Sequence, residues 1–376
     1  MHKITIFPLG NADCCQIDLQ CGKTILFDYA DTQDSNDKAD LRCDLPKELR
    51  DALQQRERDY YDVVAFTHLD RDHFGGATNF FYLEHAEKYQ KGDRTKMRVM
   101  WVPAGFLTEQ GPDDEEARIL QREARHRFKG GRGIRVFSRP ERLKEWCDKN
   151  GISLADRLSL ITDAGKIAPE FSLAQDGVEF FVHSPFAVRQ DENTVEDRNG
   201  DSIVVQATFE VDEVKTKALL MADSPHEALS EIVSVTRKKG NDTRLEWDIV
   251  KLPHHSSYLS LGTEKGEDKT KPVENVAWLY EKQRQYGGII VSTSKPIPVK
   301  GSTEDEDPQP PHRQAANYYK EILAEVVGQY IVTMEHPTKE SPKPVIIEIG
   351  TDKATVKKRS ISAAYVATSR PAPRAG

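Results

Sequence analysis

The first hundred positions carry short apolar or alternating runs separated by turn residues. Ile4–Leu9, Cys14–Leu19 and Thr24–Asp28 follow one another, broken at Gly10-Asn11 and Gly22-Lys23, and predict three strands in quick succession. A polar stretch at 31–44 leads to Pro46, which suits a first helical turn, so a helix is expected over 46–58. The runs 62–66 and Arg98–Val102 predict two more strands. Residues 103–170 differ: they are charged and helix-prone, with few strand signals, and read as an insertion on the core fold. Strands resume at Val178–His183, Ser202–Phe209, Lys217–Ala222 and Asp248–Pro253, then at Ile289–Thr293, 329–334 and 344–349. Helices are expected at Pro225–Thr236, 275–284 and 313–326, with a Pro-rich acidic loop at 296–311. Strands interspersed with helices predict a layered α/β domain over about 1–360. The tail 361–376, rich in Ala, Ser, Pro and Arg, is expected to be disordered.

Composition narrows this picture. With 376 residues, 38% apolar and 30% charged, the chain can bury a sizeable core as one soluble globular domain. A net charge of −8 argues against a protein that coats nucleic acid over its whole surface. No stretch of 18 apolar residues suggests a membrane span, and the N-terminus enters a strand-like run with no signal peptide. The five cysteines form no regular framework, which points to a reducing, cytoplasmic setting. Strand alternation puts the neighbours Cys14 and Cys15 on opposite faces. One segment runs against the overall charge: from Ala117 to Asn150 there are 11 Lys/Arg against 4 Asp/Glu. Such a stretch is more often a solvated helical face. At the rim of a site, Arg118, Arg122, Arg125, Arg127 and Lys129 could instead track a phosphate backbone.

The chemistry concentrates at strand ends. Thr67-His68-Leu69-Asp70-Arg71-Asp72-His73 follows the apolar run Val63–Phe66 and offers four candidate metal ligands within six positions: His68, Asp70, Asp72 and His73. Leu219-Leu220-Met221-Ala222-Asp223 ends an apolar run on one carboxylate, and Val250-Lys251-Leu252-Pro253-His254-His255 ends another on two imidazoles. A sheet can bring three such ends to one rim, where imidazoles and carboxylates can hold one or two divalent ions beside an open coordination position. Asp223 could also cap the following helix.

These motifs together resemble the metallo-β-lactamase superfamily of hydrolases. The nearest branch is similar to the hydrolase domain of bacterial competence DNA-uptake channel proteins, in which Asp replaces the second His of the H-x-H-x-D-H signature, as at Asp70. The resemblance takes in Gly10–Cys15, Ile25–Asp28, Asn199-Gly200-Asp201-Ser202, Ala222-Asp223 and Pro253–Ser256, over about 1–100 and 175–335. It implies a four-layer αββα sandwich with a metal site at one edge. His68 and Asp70 would serve a first ion, Asp72 and His73 a second, with Asp223 bridging. His254 or His255 would complete the second site; His254, first after the strand, is favoured. Asn199–Ser202 stands where the family supplies another first-site His and has none. An oxygen-rich first site shifts preference from Zn²⁺ toward Mn²⁺ or Mg²⁺, or leaves a single-ion enzyme.

The resemblance implies a metal-dependent hydrolase, most of all a phosphodiesterase or nuclease acting on DNA or RNA. Asp72 would orient or deprotonate the attacking water, and the spare imidazole of the 254–255 pair (His255 if His254 ligates) or His312 would protonate the leaving group. Asp28 and Asp31 could orient the histidines, or merely end a strand. The fold equally hosts hydrolases of cyclic nucleotides, thioesters and lactones. A third reading is a weakly active module that binds a protein partner or a second copy of itself within a larger, possibly defence-related, assembly.

Overall fold

The computed structural model describes residues 1–192 and 197–357; the expected tail at 361–376 lies outside them. Among the described residues, fifteen strands form two sheets. The first takes β1 (His2–Ile6), β2 (Cys15–Asp18), β3 (Thr24–Phe27), β4 (Tyr60–Ala65), β5 (Lys96–Pro103), β6 (Ile134–Phe137) and β7 (Ile161–Thr162). The second holds β8 (Val178–Ser184), β9 (Val204–Val211), β10 (Val214–Met221), β11 (Trp247–Lys251), β12 (Arg284–Ser292) and β13 (Gln329–Val332). The chain then returns to the first sheet through β14 (Val345–Gly350) and β15 (Lys353–Val356), giving the orders β15-β14-β1-β2-β3-β4-β5-β6-β7 and β13-β12-β11-β10-β9-β8.

Three apolar cores separate four layers. Between the sheets lie the inward side chains of both, among them Ile4, Ile17, Ile25, Trp101, Phe180, Val205, Ile249 and Ile347. Outside the first sheet, Leu26, Val64, Met100 and Val136 meet apolar positions of helices Leu45–Gln54, Glu115–Gly130 and Glu141–Lys149. Outside the second, Leu219, Val250 and Ile290 meet helices His226–Lys238, Glu274–Lys282 and Arg313–Ala324. The result is an αββα sandwich, the architecture that the resemblance implies. The two neighbouring cysteines follow the strand alternation, Cys14 into the outer core and Cys15 into the inter-sheet core.

The stretch 103–170 is less helical than its composition suggests. Besides its helices it contributes β6 and β7, parallel extensions of the first sheet next to β5. Ile-Arg-Val-Phe hides this strand because Arg135 interrupts the apolar pattern. Its guanidinium is neutralised in place, with Nε 2.9 Å from Glu170 Oε1 and Nη1 2.6 Å from Ser159 O.

Parallel pairing decides where chemistry can collect. β3 and β4 run parallel in the first sheet, and β10, β11 and β12 in the second, so their C-terminal ends open on one edge. Chain leaving those ends is released from ladder bonding and can present polar side chains. The two sheets are tied at that edge by Ile203 N donating to Thr67 O (3.1 Å), and within the first sheet Asp13 N donates to Asp72 O (2.9 Å).

Candidate metal centre

The loop after β4 is held from three sides. Asp28, just past β3 at φ +58°, accepts from Thr67 N at 2.7 Å and Thr67 Oγ1 at 2.8 Å. Its Oδ2 also lies 2.8 Å from His73 Nδ1, which fixes that imidazole's tautomer and leaves Nε2 facing the site. Asp31 meets the loop through its backbone, with N donating to Gly75 O at 2.8 Å. A side chain at Gly76 would be unwelcome: the residue sits at φ +82°, and a Cβ there would come within 3.1 Å of Asp31 Cβ.

One donor atom each from Asp72, His73, Asp223 and His255 lie within 4.8 Å of one another. His73 Nε2 is 3.2 Å from Asp223 Oδ1, and His255 Nε2 is 3.1 Å from Asp72 Oδ2 and 3.6 Å from Asp223 Oδ2. The donor set fits a divalent ion. His73 Nε2 is buried and makes no hydrogen bond despite its nearby carboxylate, as a nitrogen oriented for coordination would. His255 Nδ1 faces Thr293 O at 2.7 Å, so its Nε2 can be the deprotonated, ligating nitrogen.

The turn after β11 chooses between the two candidate imidazoles. His254, His255 and Ser256 all take left-handed backbone, with φ of +46°, +52° and +64°. Three such non-glycine residues in a row cost about 1–2 kcal/mol each. The run is clasped by His254 N to Ala222 O (3.2 Å), His312 N to Ser256 O (3.1 Å) and Ser256 Oγ with Tyr330 Oη (3.0 Å). The second imidazole, not the first, is thereby aimed into the cluster. The sequence favours His254, but it is His255 that joins the gathered donors, because distance from the strand end does not anticipate a left-handed reversal. His254 contributes its backbone N, 3.2 Å from Asp223 Oδ1.

Electrostatics within the cluster are mutually compensating. Burial works against a charged His73, but Asp223, Asp28 and Asp13 outweigh it and hold the imidazole well above its ordinary value. Burial likewise opposes the charge on Asp223, yet His73 and His255 keep it well below the carboxylate range. Behind them lies Lys251, 5% exposed, which donates to Asp13 Oδ2 and to Met221 O at 2.9 Å. Burial would discharge this ammonium; Asp13 and Asp223 keep it charged. Neither Asp13 nor Lys251 stood out as a site residue in the sequence. The available signal was a lysine inside the fully buried strand Trp247–Lys251.

The first pair is not among these four donors, although the His68 and His73 rings lie 4.0 Å apart. His68 Nε2 is buried without a hydrogen-bond partner, 3.6 Å from Asp70 Oδ2. Burial and the neighbouring His73 charge push this imidazole below its ordinary value. Asp70 turns outward to Arg198, whose Nη1 donates to Asp70 Oδ1 at 2.8 Å. A cleft opens here, lined by His68, Thr108, Glu109, Arg142, Arg198 and Asp201, among others. Burial pushes the Asp201 carboxyl up to about 7.

The remaining predicted residues fall outside this geometry. His312 Nδ1 accepts from Tyr258 N at 3.3 Å and its ring packs edge-on against that tyrosine. Burial, with Lys265 nearby, lowers it to about 4, so at neutral pH it carries no extra proton for a leaving group. The basic helix is also not the open stripe expected. Arg127 is buried, pairs with Glu123 Oε1 at 2.7 Å and donates to Met97 O at 3.1 Å. Arg125 donates to Leu107 O and Glu109 O, and Arg118 to Pro112 O. Arg122 and Lys129 are exposed. Long basic side chains on a helix packed over a sheet can reach backbone carbonyls beneath it, which composition does not reveal.

No family model matches the chain, and neither does any curated protein. Two solved structures are similar at 10% identity. One is a new diphosphatase from the PhnP family, covering 78% of this chain and 87% of that one at a TM-score of 0.31. The other is unliganded yeast PDE1, covering 88% and 97% at a TM-score of 0.40. The case for a metal centre in this αββα sandwich accordingly stands on the four donors gathered at its edge.

Proposed function

We propose that the protein is a metal-dependent phosphodiesterase whose ion is held by Asp72, His73, Asp223 and His255. The observation that carries this reading is the convergence of those four donors from three strand ends, with His73 braced by Asp28 and His255 by Thr293. When bound, a divalent ion such as Zn²⁺ or Mn²⁺ supplies hydroxide at neutral pH by lowering the pKa of its water from about 15.7 to roughly 7. The chain's own residues supply the rest. Asp72, half-exposed at the mouth, accepts a proton from the attacking water, and Asp28 and Thr293 keep the imidazoles from rotating.

The substrate reading shifts from polymer toward nucleotide-sized diesters. The internal engagement of Arg125 and Arg127 removes most of the support for a nucleic-acid track. The test is hydrolysis of bis(p-nitrophenyl) phosphate, a cyclic nucleotide, a thioester and single- and double-stranded DNA, each with Zn²⁺ or Mn²⁺. Turnover of the small diesters, lost in Asp72→Ala, is expected. Turnover of the thioester alone, or of no substrate with either ion, overturns the reading; cleavage of DNA without small diesters restores the nuclease.

A further inference from the structure

Arg198 lies one residue before Asn199–Ser202, the segment where a first-site imidazole is missing, and it reaches the place that imidazole's ion would serve. Its Nη1 donates to Asp70 Oδ1 at 2.8 Å; on the other side Nε donates to Glu109 Oε2 at 3.1 Å, and Nη2 donates to Glu109 Oε1. Glu109 is itself buried at 7% exposure. The guanidinium is thus clamped between two carboxylates, yet its side chain is 35% exposed and lines the cleft beside His68. A guanidinium has five N–H groups. With three engaged by Asp70 and Glu109, two are left for a ligand in that cleft.

A second divalent ion fits poorly there. His68 offers one nitrogen, and Asp70 Oδ1 is already engaged by the Arg198 guanidinium, which Glu109 holds from its other side. An ion between them would lie beside that fixed guanidinium, and like charges repel. No guanidinium is hydrogen-bonded to a donor of the Asp72, His73, Asp223 and His255 cluster among the described residues, and the Lys251 ammonium lies behind it on Asp13.

We propose that Arg198 takes the place of the first metal ion. The four-donor cluster would then hold one divalent ion, and an anionic phosphoryl oxygen of the substrate binds the free N–H groups of Arg198 in the cleft beside His68. This rests on the phosphodiesterase reading and adds to it how the phosphate is recognised. A planar fork of N–H donors suits phosphate oxygens, and unlike an ion it cannot be chelated away.

The experiment counts ions and measures phosphate affinity separately. Elemental analysis after Zn²⁺ loading and desalting is expected to give one ion per chain in the wild type and in Asp70→Asn, and none in Asp223→Asn. Two ions in the wild type, with one lost in Asp70→Asn, overturns the proposal. No ion in the wild type overturns the metal reading itself, so the two failures are distinct. Titration calorimetry of the Zn²⁺-loaded protein with inorganic phosphate is expected to show binding weakened about tenfold or more in Arg198→Gln. Arg198→Lys retains the charge beside Asp70 and Glu109 and serves if the glutamine variant does not fold. It should weaken phosphate binding severalfold at an unchanged melting temperature. Unchanged phosphate affinity in a folded variant overturns the proposal.

Discussion

The two halves of the site use the same kinds of residue and end up chemically different. Asp72, His73, Asp223 and His255 are braced from behind by Asp28, Thr293 and a buried Lys251. His68 and Asp70 come from the same loop, but Asp70 leans out to Arg198. What separates them is not the donor list but what stands behind each donor. Carboxylates behind an imidazole prepare a cation site; a guanidinium beside a carboxylate uses that charge up.

The most severe break should come from the braced half. Asp223→Asn or His255→Ala is expected to abolish ion binding and metal-dependent turnover in a protein that still folds by circular dichroism. Retention of the ion in both would dissolve the distinction between the halves. Next in size is Lys251→Met, which leaves Asp13 buried without its partner. A loss of about 3–5 kcal/mol in denaturant unfolding is expected, and a loss below about 1 kcal/mol would mean that the Lys251–Asp13 pair does not hold the fold. Asp28→Asn should be milder: the fold survives while ion affinity falls about 10–100-fold, read by chelator competition. An equal fall from Asp70→Asn would erase the asymmetry.

The smallest effect concerns a histidine that contrasts with His73. His183 is equally buried, but it faces Arg244 O (2.9 Å) and Thr236 Oγ1 (3.5 Å) where His73 faces carboxylates. Burial, with the Arg244 charge, lowers His183 to about 4. Its folded value is depressed, so the stability it contributes is complete above the ordinary 6.5 and is lost as pH falls toward 4. Melting temperatures of His183→Gln should therefore decline less over that window than those of the wild type. Parallel curves would show that the ring titrates as though exposed.

The parts of this arrangement that local pattern controls could be read in advance. The apolar runs before His68, Asp223 and His254 were legible as strands because burial on both faces demands continuous apolar residues. The gathering of three strand ends was legible because parallel neighbours share an end. Long-range geometry was not. Nothing local distinguishes His255 from His254, since the left-handed turn is enforced by contacts to Ser256 from Tyr330 and His312. Arg198 precedes an unremarkable turn, and its partners Asp70 and Glu109 are 128 and 89 positions away. The strand at Ile134–Phe137 was hidden because Glu170, which neutralises Arg135, lies 35 positions on.

The left-handed run at His254–Ser256 also bears on how this protein could be altered. Each of its residues adopts a backbone that glycine would adopt more cheaply. A glycine at 254 would make the chain easier to fold, and it would make the conformation that aims His255 as easy to leave as to enter. Selection for heat resistance alone would therefore drift toward variants that melt later and hold their imidazole less firmly. Robustness and precision are set against each other in three residues.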